Sequence, residues 1–380
     1  MDNTIYLDNA ATTRPFEGAE SIIKRHLENE WNNPSALYTA AVEQERRLKK
    51  DKETIMSAVR AENVIITSCG TESNNTVIFN GARRTGKPRH YITSAYEHAC
   101  VYECFRELEQ RGEKVTFVRP GPDGKISPAD VAREVREDTA LVSIMHVNNE
   151  TGAVNDIDGI ARAVKKVNPG TLFHSDGVQG FIKVPFDMKK SAVDYYTASA
   201  HKVHALKGTG ALFLSSKSPL KPYILGGGQE NGMRSGTENT LGISVFAGAV
   251  GDYLSNYDLY TSMIVKARQS FLESILDIPD TVVISPSDGA PHILSVSFPG
   301  VRGEVLLHSL STRGIEISVG SACSSKKRKN RVHDALGLSG ELAEGIVRIS
   351  FSHFNTAEET AEAGGIIREE VLKLRRFRRL

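Results

Sequence analysis

Asp194-Tyr195-Tyr196-Thr197-Ala198-Ser199-Ala200-His201-Lys202-Val203-His204-Ala205-Leu206-Lys207-Gly208-Thr209-Gly210 decides how the rest of this chain is read. A β-prone run, 195–198, opens it and an apolar run, 211–214, follows at once. Between them lies a turn of small residues that carries a serine, two histidines and two lysines. A lysine at such a strand end is positioned rather than solvated. Desolvation or a neighbouring cation then holds its ammonium pKa down and leaves an amine nucleophile. Lys202 is the candidate. Taken alone, Lys202 and Lys207 would count as two of the 47 basic residues, facing water as most lysines do.

The segment upstream changes that balance. Thr171-Leu172-Phe173-His174-Ser175-Asp176-Gly177-Val178-Gln179 reads as a strand delivering a carboxylate at its C-terminal end. A pyridoxal phosphate (PLP) site needs an acid beside the pyridinium nitrogen, because the protonated ring is the electron sink that stabilises a carbanion. Asp176 supplies one, a single strand before Lys202. Asp-Gly also starts turns; the spacing relative to Lys202 favours the functional role.

Other candidates fall on the same strand ends. The run 64–68 enters Cys69-Gly70-Thr71-Glu72 and then a helical stretch, and a Gly-Thr turn at a helix N-terminus is an anion site or an ordinary capped helix start. Gly70 and Thr71 are the expected phosphate contacts. Strand 91–93 leads to Glu97-His98 and a helix with Val101, Phe105 and Leu108 at helical spacing, which places His98 where α/β sheets hold ligands. Cys100 and Cys104 are one turn apart on that helix; without further ligand spacing they read as buried thiols rather than a metal pair. Strand 141–147 ends at His146-Val147-Asn148-Asn149, an amide pair suited to a cofactor oxygen or a substrate carboxylate. The glycine-rich stretch 226–239 reads as a polar ligand loop rather than a linker.

Strands 115–118, 141–147, 172–174, 195–198 and 211–214 alternate with helices such as 128–136 and 157–167. That alternation predicts an α/β fold with a mostly parallel sheet covered by helices. At 380 residues two domains are expected: 15–255, then 1–14 with 256–380 as a smaller α+β unit, the change lying inside a helical region that runs to about residue 276. The smaller unit carries strands 293–298, 315–319 and 346–351, helix 303–311 and a last helix ending in the basic tail 373–379.

Hydrophobic residues make up 40% and charged ones 24%, so the chain is of the globular class. A net charge of +1 argues against direct nucleic-acid binding, and neither a leader nor a bilayer-length apolar run is present, so a cytoplasmic protein is expected. Four cysteines in a chain this long read as free thiols. One stands apart. Ser318-Val319-Gly320-Ser321-Ala322-Cys323-Ser324-Ser325 surrounds Cys323 with small residues, and the basic run 326–331 lowers thiol pKa, so Cys323 reads as reactive. The buried-hydrophobe reading suits Cys69 or Cys104 better. The basic run is otherwise a solvated face or a greeting to an acidic partner. Arg348, inside an apolar strand, calls for a specific carboxylate.

Together these residues resemble the cysteine desulfurases of the PLP-dependent fold-type I, class V aminotransferase superfamily. The resemblance runs from Tyr6-Leu7-Asp8-Asn9-Ala10-Ala11-Thr12-Thr13 almost to the last helix. It rests above all on Ser-Ala-His-Lys, Arg-Ser-Gly-Thr-Glu-Asn and Gly-Ser-Ala-Cys-Ser-Ser. The interval between Cys323 and Arg348 is similar to that of the group with a long mobile cysteine loop, here about 319–335.

The resemblance implies a homodimer that converts L-cysteine to L-alanine and passes the sulfur, as a Cys323 persulfide, to an acceptor: an iron-sulfur scaffold or a tRNA- or cofactor-thiolation enzyme. It implies Lys202 as the amine that bonds the cofactor aldehyde, Asp176 on the ring nitrogen, Gln179 on the ring hydroxyl, and His98 stacked over the ring and assisting proton transfer. Thr71, Ser199 and His201 hold the phosphate, with Thr237 reaching it from the other subunit. Asn149 and Arg348 orient the substrate carboxylate, and no metal is expected.

The chain departs from the family pattern at Val203-His204-Ala205-Leu206, where Gly-Pro is common, and in the basic run 326–331. It also stops without the long tail that some relatives use to dock a scaffold. A PLP aminotransferase or selenocysteine lyase, and a non-catalytic sulfur-relay partner, are the competing readings.

Overall fold

The computed structural model describes residues 4–81, 89–216, 218–319 and 330–378. Seven strands form the central sheet: β1 (Asn63–Thr67), β2 (His90–Ser94), β3 (Lys114–Val118), β4 (Thr139–Ser143), β5 (Leu172–Asp176), β6 (Tyr195–Ser199) and β7 (Gly210–Leu214). Their order across the sheet is β1-β7-β6-β5-β4-β2-β3. Strand β7 runs antiparallel to both neighbours, β1 and β6. The other neighbouring pairs are parallel.

Burial on both faces explains the sequence of these strands. Every residue of β2, β4, β6 and β7 is buried, so they read as continuous apolar or small-residue runs rather than alternating ones. The helices between them cover the faces. Helix Ile157–Val167 starts where Asp156 accepts from the Gly159 N–H at 2.9 Å, and it turns Ile160, Ala161 and Val164 to the core. Behind β5–β7, Phe173, Phe181, Tyr196, Phe213 and Phe246 pack together, and each ring removed from water contributes about 2–3 kcal/mol. Parallel strands point one way, so Ser94, Ser143, Asp176 and Ser199 end along a single edge.

A second, antiparallel sheet joins Ile346–Ser350, Ile293–Ser297 and Val282–Val283 in that order. Its core gathers Leu7, Ile264, Phe271, Leu294 and Val347, so the chain start packs with the C-terminal part. There Ile5–Tyr6 pairs in parallel with Ile315–Glu316.

Two expected elements end early. Strand 141–147 is regular only to Ser143: the Ile144 and His146 N–H groups still donate to the His174 and Asp176 carbonyls at 3.1 and 2.9 Å, but the Met145 N–H turns to Glu97 Oε1 at 3.0 Å and its carbonyl to the Asn155 amide at 2.8 Å. The helical region to 276 is two helices, Thr240–Ser255 and Tyr257–Ile275, parted where the Asn256 N–H caps Asp252 and Tyr253. Among the described residues no helix is long and apolar enough to cross a membrane.

Candidate active site

The strand-end edge holds a cavity of about 290 Å³. Gly70, Thr71, His98, Asn149, Asp176, Gln179, Ser199, His201, Lys202 and Arg348 all line it, so ten of the twelve residues singled out in the sequence meet there. Thr237 is exposed and is not part of this lining. Cys323 and residues 326–329 lie outside the described residues.

Lys202 ends the single 3-10 turn Ala200–Lys202 that follows β6. Its Nζ donates to the carbonyls of Ala10 and Ala11, each at 2.6 Å. Burial, and then the charge of Arg348, lowers its ammonium to about 8 against the opposing pull of Asp8 and Asp176. A free-amine fraction is therefore present near neutrality. His201, one residue earlier, is pushed down to about 4, chiefly by burial, and faces Thr12 Oγ1 at 3.1 Å.

Asp176 closes β5. It accepts from Asn74 Nδ2 at 2.8 Å and from the Val178 N–H at 3.0 Å. The residue after it has to be glycine, since a Cβ on Gly177 would stand 2.0 Å from Tyr196 Cζ. Tyr196 is itself fixed, its hydroxyl 2.9 Å from His146 Nδ1. The carboxylate is thus held by packing as well as by hydrogen bonds.

Helix Gly70–Asn80 aims its N-terminus at the cavity with no side chain capping it. Its first-turn N–H groups and its dipole favour an anion there. Glu72, which could have capped the turn, points away to the Ser68 N–H at 2.8 Å and Arg234 Nε at 2.9 Å. The helix start is thus not an ordinary side-chain-capped one. Gly70 also permits close approach: a Cβ would meet Val178 Cγ2 at 2.7 Å.

His98 caps helix Ala99–Gln110, its Nδ1 accepting from the Cys100 N–H at 3.2 Å with the Cys100 thiol 3.0 Å away. That leaves Nε2 as the proton-bearing nitrogen. Burial outweighs the pull of Asp176 and keeps the ring neutral below its usual range.

On the opposite wall Arg348 donates to Asp8 Oδ1 at 2.8 Å and to the Asn149 carbonyl at 2.9 Å. The carboxylate it called for is Asp8. Arg348 Nε and Asn149 Oδ1 are buried without a partner, a donor and an acceptor in residues that line the cavity.

Several local readings are corrected. Cys69 is no buried hydrophobe; like Cys100 it is half-buried and lines the cavity, while Cys104 is buried, its thiol 3.0 Å from the Cys100 carbonyl. The 226–239 loop uses its charges for anchoring. Glu230 accepts from the Ile66 N–H at 3.1 Å and pairs with Lys52 at 2.5 Å, and Arg234 pairs with Glu72. Arg331, read as part of a solvated basic face, is held by protein carbonyls. At the departure after Lys202, His204 takes a positive φ of 67°, and its N–H donates to Thr13 Oγ1 at 2.8 Å.

Four residues escaped sequence reasoning: Asp8, Asn74, Cys100 as a cavity residue, and Lys183, whose Nζ reaches Gln179 Oε1 at 3.3 Å and the Lys202 carbonyl at 3.2 Å. Asp8 was quoted in the opening segment, but nothing local links it to Arg348, 340 positions away.

The model of the family "Aminotransferase class-V" matches residues 5–362. The chain belongs to the aminotransferase class-V family. It is 37% identical over 385 residues to "Cysteine desulfurase IscS" of Pseudomonas putida, covering 99% of this chain and 94% of that one. It is 33% identical over 381 residues to "Cysteine desulfurase IscS" of Dictyoglomus turgidum, covering 99% and 96%. A solved structure titled "NIFS-LIKE PROTEIN" superposes with a TM-score of 0.92 at 33% identity, covering 98% of this chain and all of that one.

Class-V aminotransferases are PLP enzymes of fold-type I, and the residues here fit that cofactor. An amine of lowered pKa, a fixed carboxylate and an uncapped helix N-terminus face one cavity. Two unpaired polar atoms in its lining await a partner.

Proposed function

We propose that this class-V aminotransferase is a cysteine desulfurase that converts L-cysteine to L-alanine and transfers the sulfur to Cys323. The carrying observation is the convergence of Lys202, Asp176 and Arg348 on one cavity, from strand ends and chain segments far apart in sequence. The relatives' shared name, and coverage of 94% and 96% of their length, support the reading.

Bound in the cavity, the pyridoxal ring supplies an electron sink for charge at the substrate α-carbon. Lys202, an amine of lowered pKa in the lining, would be the residue that holds the cofactor aldehyde. Asp176 would hold the ring nitrogen and favour its protonated form, and Gln179 would hold the ring hydroxyl. The helix N-terminus with Gly70, Thr71, Ser199 and His201 would hold the phosphate, and Thr237 of a second copy would contribute to holding it. Arg348 would grip the substrate carboxylate through its unpaired Nε, and Asn149 would help orient it by donating from its side-chain amide N–H, since its Oδ1 only accepts. His98, neutral and proton-bearing at Nε2, would cover the ring and move protons. Cys323, as thiolate, would attack the substrate sulfur; the carbon–sulfur bond breaks with its electron pair passing to the substrate β-carbon, which takes a proton so that alanine can leave, and the sulfur stays as a persulfide.

The protein acts as a cytoplasmic homodimer. Exposed Leu27, Trp31, Leu37, Tyr38 and Leu225 are apolar surface that a second copy would cover. The two-part division, 15–255 against 1–14 with 256–380, is supported by the second core around Leu7, Phe271 and Val347, while Val332 and Ala335 of the smaller part pack into the larger core. An acceptor protein, an iron-sulfur scaffold or a thiolation enzyme, takes the persulfide sulfur.

The test is incubation with L-cysteine. With an excess of a dithiol added to reduce the persulfide, alanine and sulfide are expected in equal amounts, and Cys323→Ser is expected to keep the cofactor while losing turnover. Unchanged turnover in that variant would remove the persulfide step, and transamination of L-cysteine without sulfide would favour an aminotransferase.

A further inference from the structure

A short stretch of the C-terminal part grips the turns that carry His98 and Asn149. Helix Arg331–Ala335 follows Asn330, whose Oδ1 caps it by accepting from the Val332 and His333 N–H groups at 2.9 and 3.2 Å. Arg331 Nη1 donates to the Ala95 carbonyl at 2.7 Å, and Nη2 to the Glu97 carbonyl. Its guanidinium also sits 3.9 Å from the Tyr102 ring centre, one turn along the helix that His98 caps. The Glu97 carbonyl belongs to the peptide bond on which His98 hangs. Asn330 Nδ2 donates to Glu150 Oε2 at 3.0 Å, and His333 Nε2 lies 3.5 Å from the same oxygen, beside Asn149. Val332 and Ala335 pack into the large core with β4–β7, not into the smaller one.

Among the described residues Arg331 has no ion-pair partner within 4.0 Å; it meets carbonyls and a ring face. Glu97, Glu150 and Glu103 act on its charge without pairing with it, and the cation still acts on the nearby His98 ring. The groups acting on the His98 ring are Asp176 and Glu150, which favour imidazolium, and Lys202 and Arg331, which oppose it. Cys100 completes the contacts at Nδ1.

We infer that Arg331 is a positioning residue for His98: by clasping the 95–97 carbonyls it sets the ring's place and protonation, and it ties both to the chain that leads back to Cys323. The inference rests on the desulfurase reading. It makes the contact between the two parts of the molecule a component of proton transfer, not only of packing.

The experiment compares Arg331→Ala and Arg331→Lys in the cofactor-loaded enzyme, with cofactor content, thermal midpoint and the pH dependence of alanine release measured together. Loss of both carbonyl contacts misplaces the ring, so alanine release should fall about tenfold in Arg331→Ala at unchanged cofactor content. Removal of the cation raises the His98 pKa, so the acid limb of the profile should move up by about half a pH unit. Arg331→Lys keeps the charge and loses the fork; its rate should fall while its acid limb stays in place. Wild-type rates and limbs in both variants would overturn the inference. So would loss of rate that follows the thermal midpoint with no change in the limb, the signature of a purely structural contact. If Arg331→Ala does not fold, the Arg331→Lys rate at an unchanged midpoint decides, and an unaltered rate overturns the inference. A wild-type enzyme that releases no alanine from L-cysteine would instead remove the desulfurase reading itself.

Discussion

The two walls of the cavity are built in opposite ways. The sheet wall comes from β5, β6 and the helix after β1, with Asp176 and Lys202 each a residue or a short turn from a buried strand. Its geometry is local and backed by packed rings. The other wall joins Asp8–Ala11 to Arg348 across 340 positions and depends on the C-terminal part docking correctly. The comparison separates two jobs. In the proposed reaction the sheet wall supplies the covalent chemistry, while the assembled wall supplies substrate grip and acts on the amine across from it.

Lys202→Ala should give the largest effect, cutting alanine release by about 10³-fold or more and abolishing the visible absorption of bound cofactor. Retained absorption with activity would break the assignment of chemistry to the sheet wall. Arg348→Ala removes charged hydrogen bonds worth about 1.5–3 kcal/mol, so KM for L-cysteine should rise about 10- to 100-fold with cofactor binding intact. A fall in cofactor content instead would show that the two jobs are not separable.

Gly177→Ala forces a Cβ into the Tyr196 ring and should lower stability by about 2–4 kcal/mol in thermal or denaturant unfolding. A neutral result would mean that the Asp176 turn is less rigid than the sheet wall requires.

The smallest effect joins the walls. In cofactor-free protein the Lys202 amine should react with aldehydes at a rate that rises with pH through about 8. Burial is the main cause of that value and Arg348 the next, so Arg348→Ala should move the midpoint up and Asp8→Ala should move it down. The stability sign follows. Between pH 8 and 10.5 the unfolded chain still holds the proton that the native amine has released, so Lys202 adds stability as pH rises through that window and disfavours folding below it. Midpoints unmoved by either substitution would sever the link between the walls.

The same division marks what could be read in advance. Lys202, Asp176, Thr71 and His98 were legible because a strand end, a turn and a helix start are written in consecutive residues. Asp8 beside Arg348, Asn74 on Asp176 and Lys183 behind Lys202 were not, since each is a contact between separate elements.

By itself the sequence determined the alternation of strands and helices, the parallel sheet and the chemistry carried at its strand ends, because period and turn signals act over a few residues. Only the tertiary structure decided that the chain start and Arg348 close the cavity, that Glu230 and Arg234 brace a loop, and that Arg331 clasps the turn of His98. Those contacts depend on how two packed bodies meet, and that is fixed by the burial of surfaces distant in sequence, not by any local pattern.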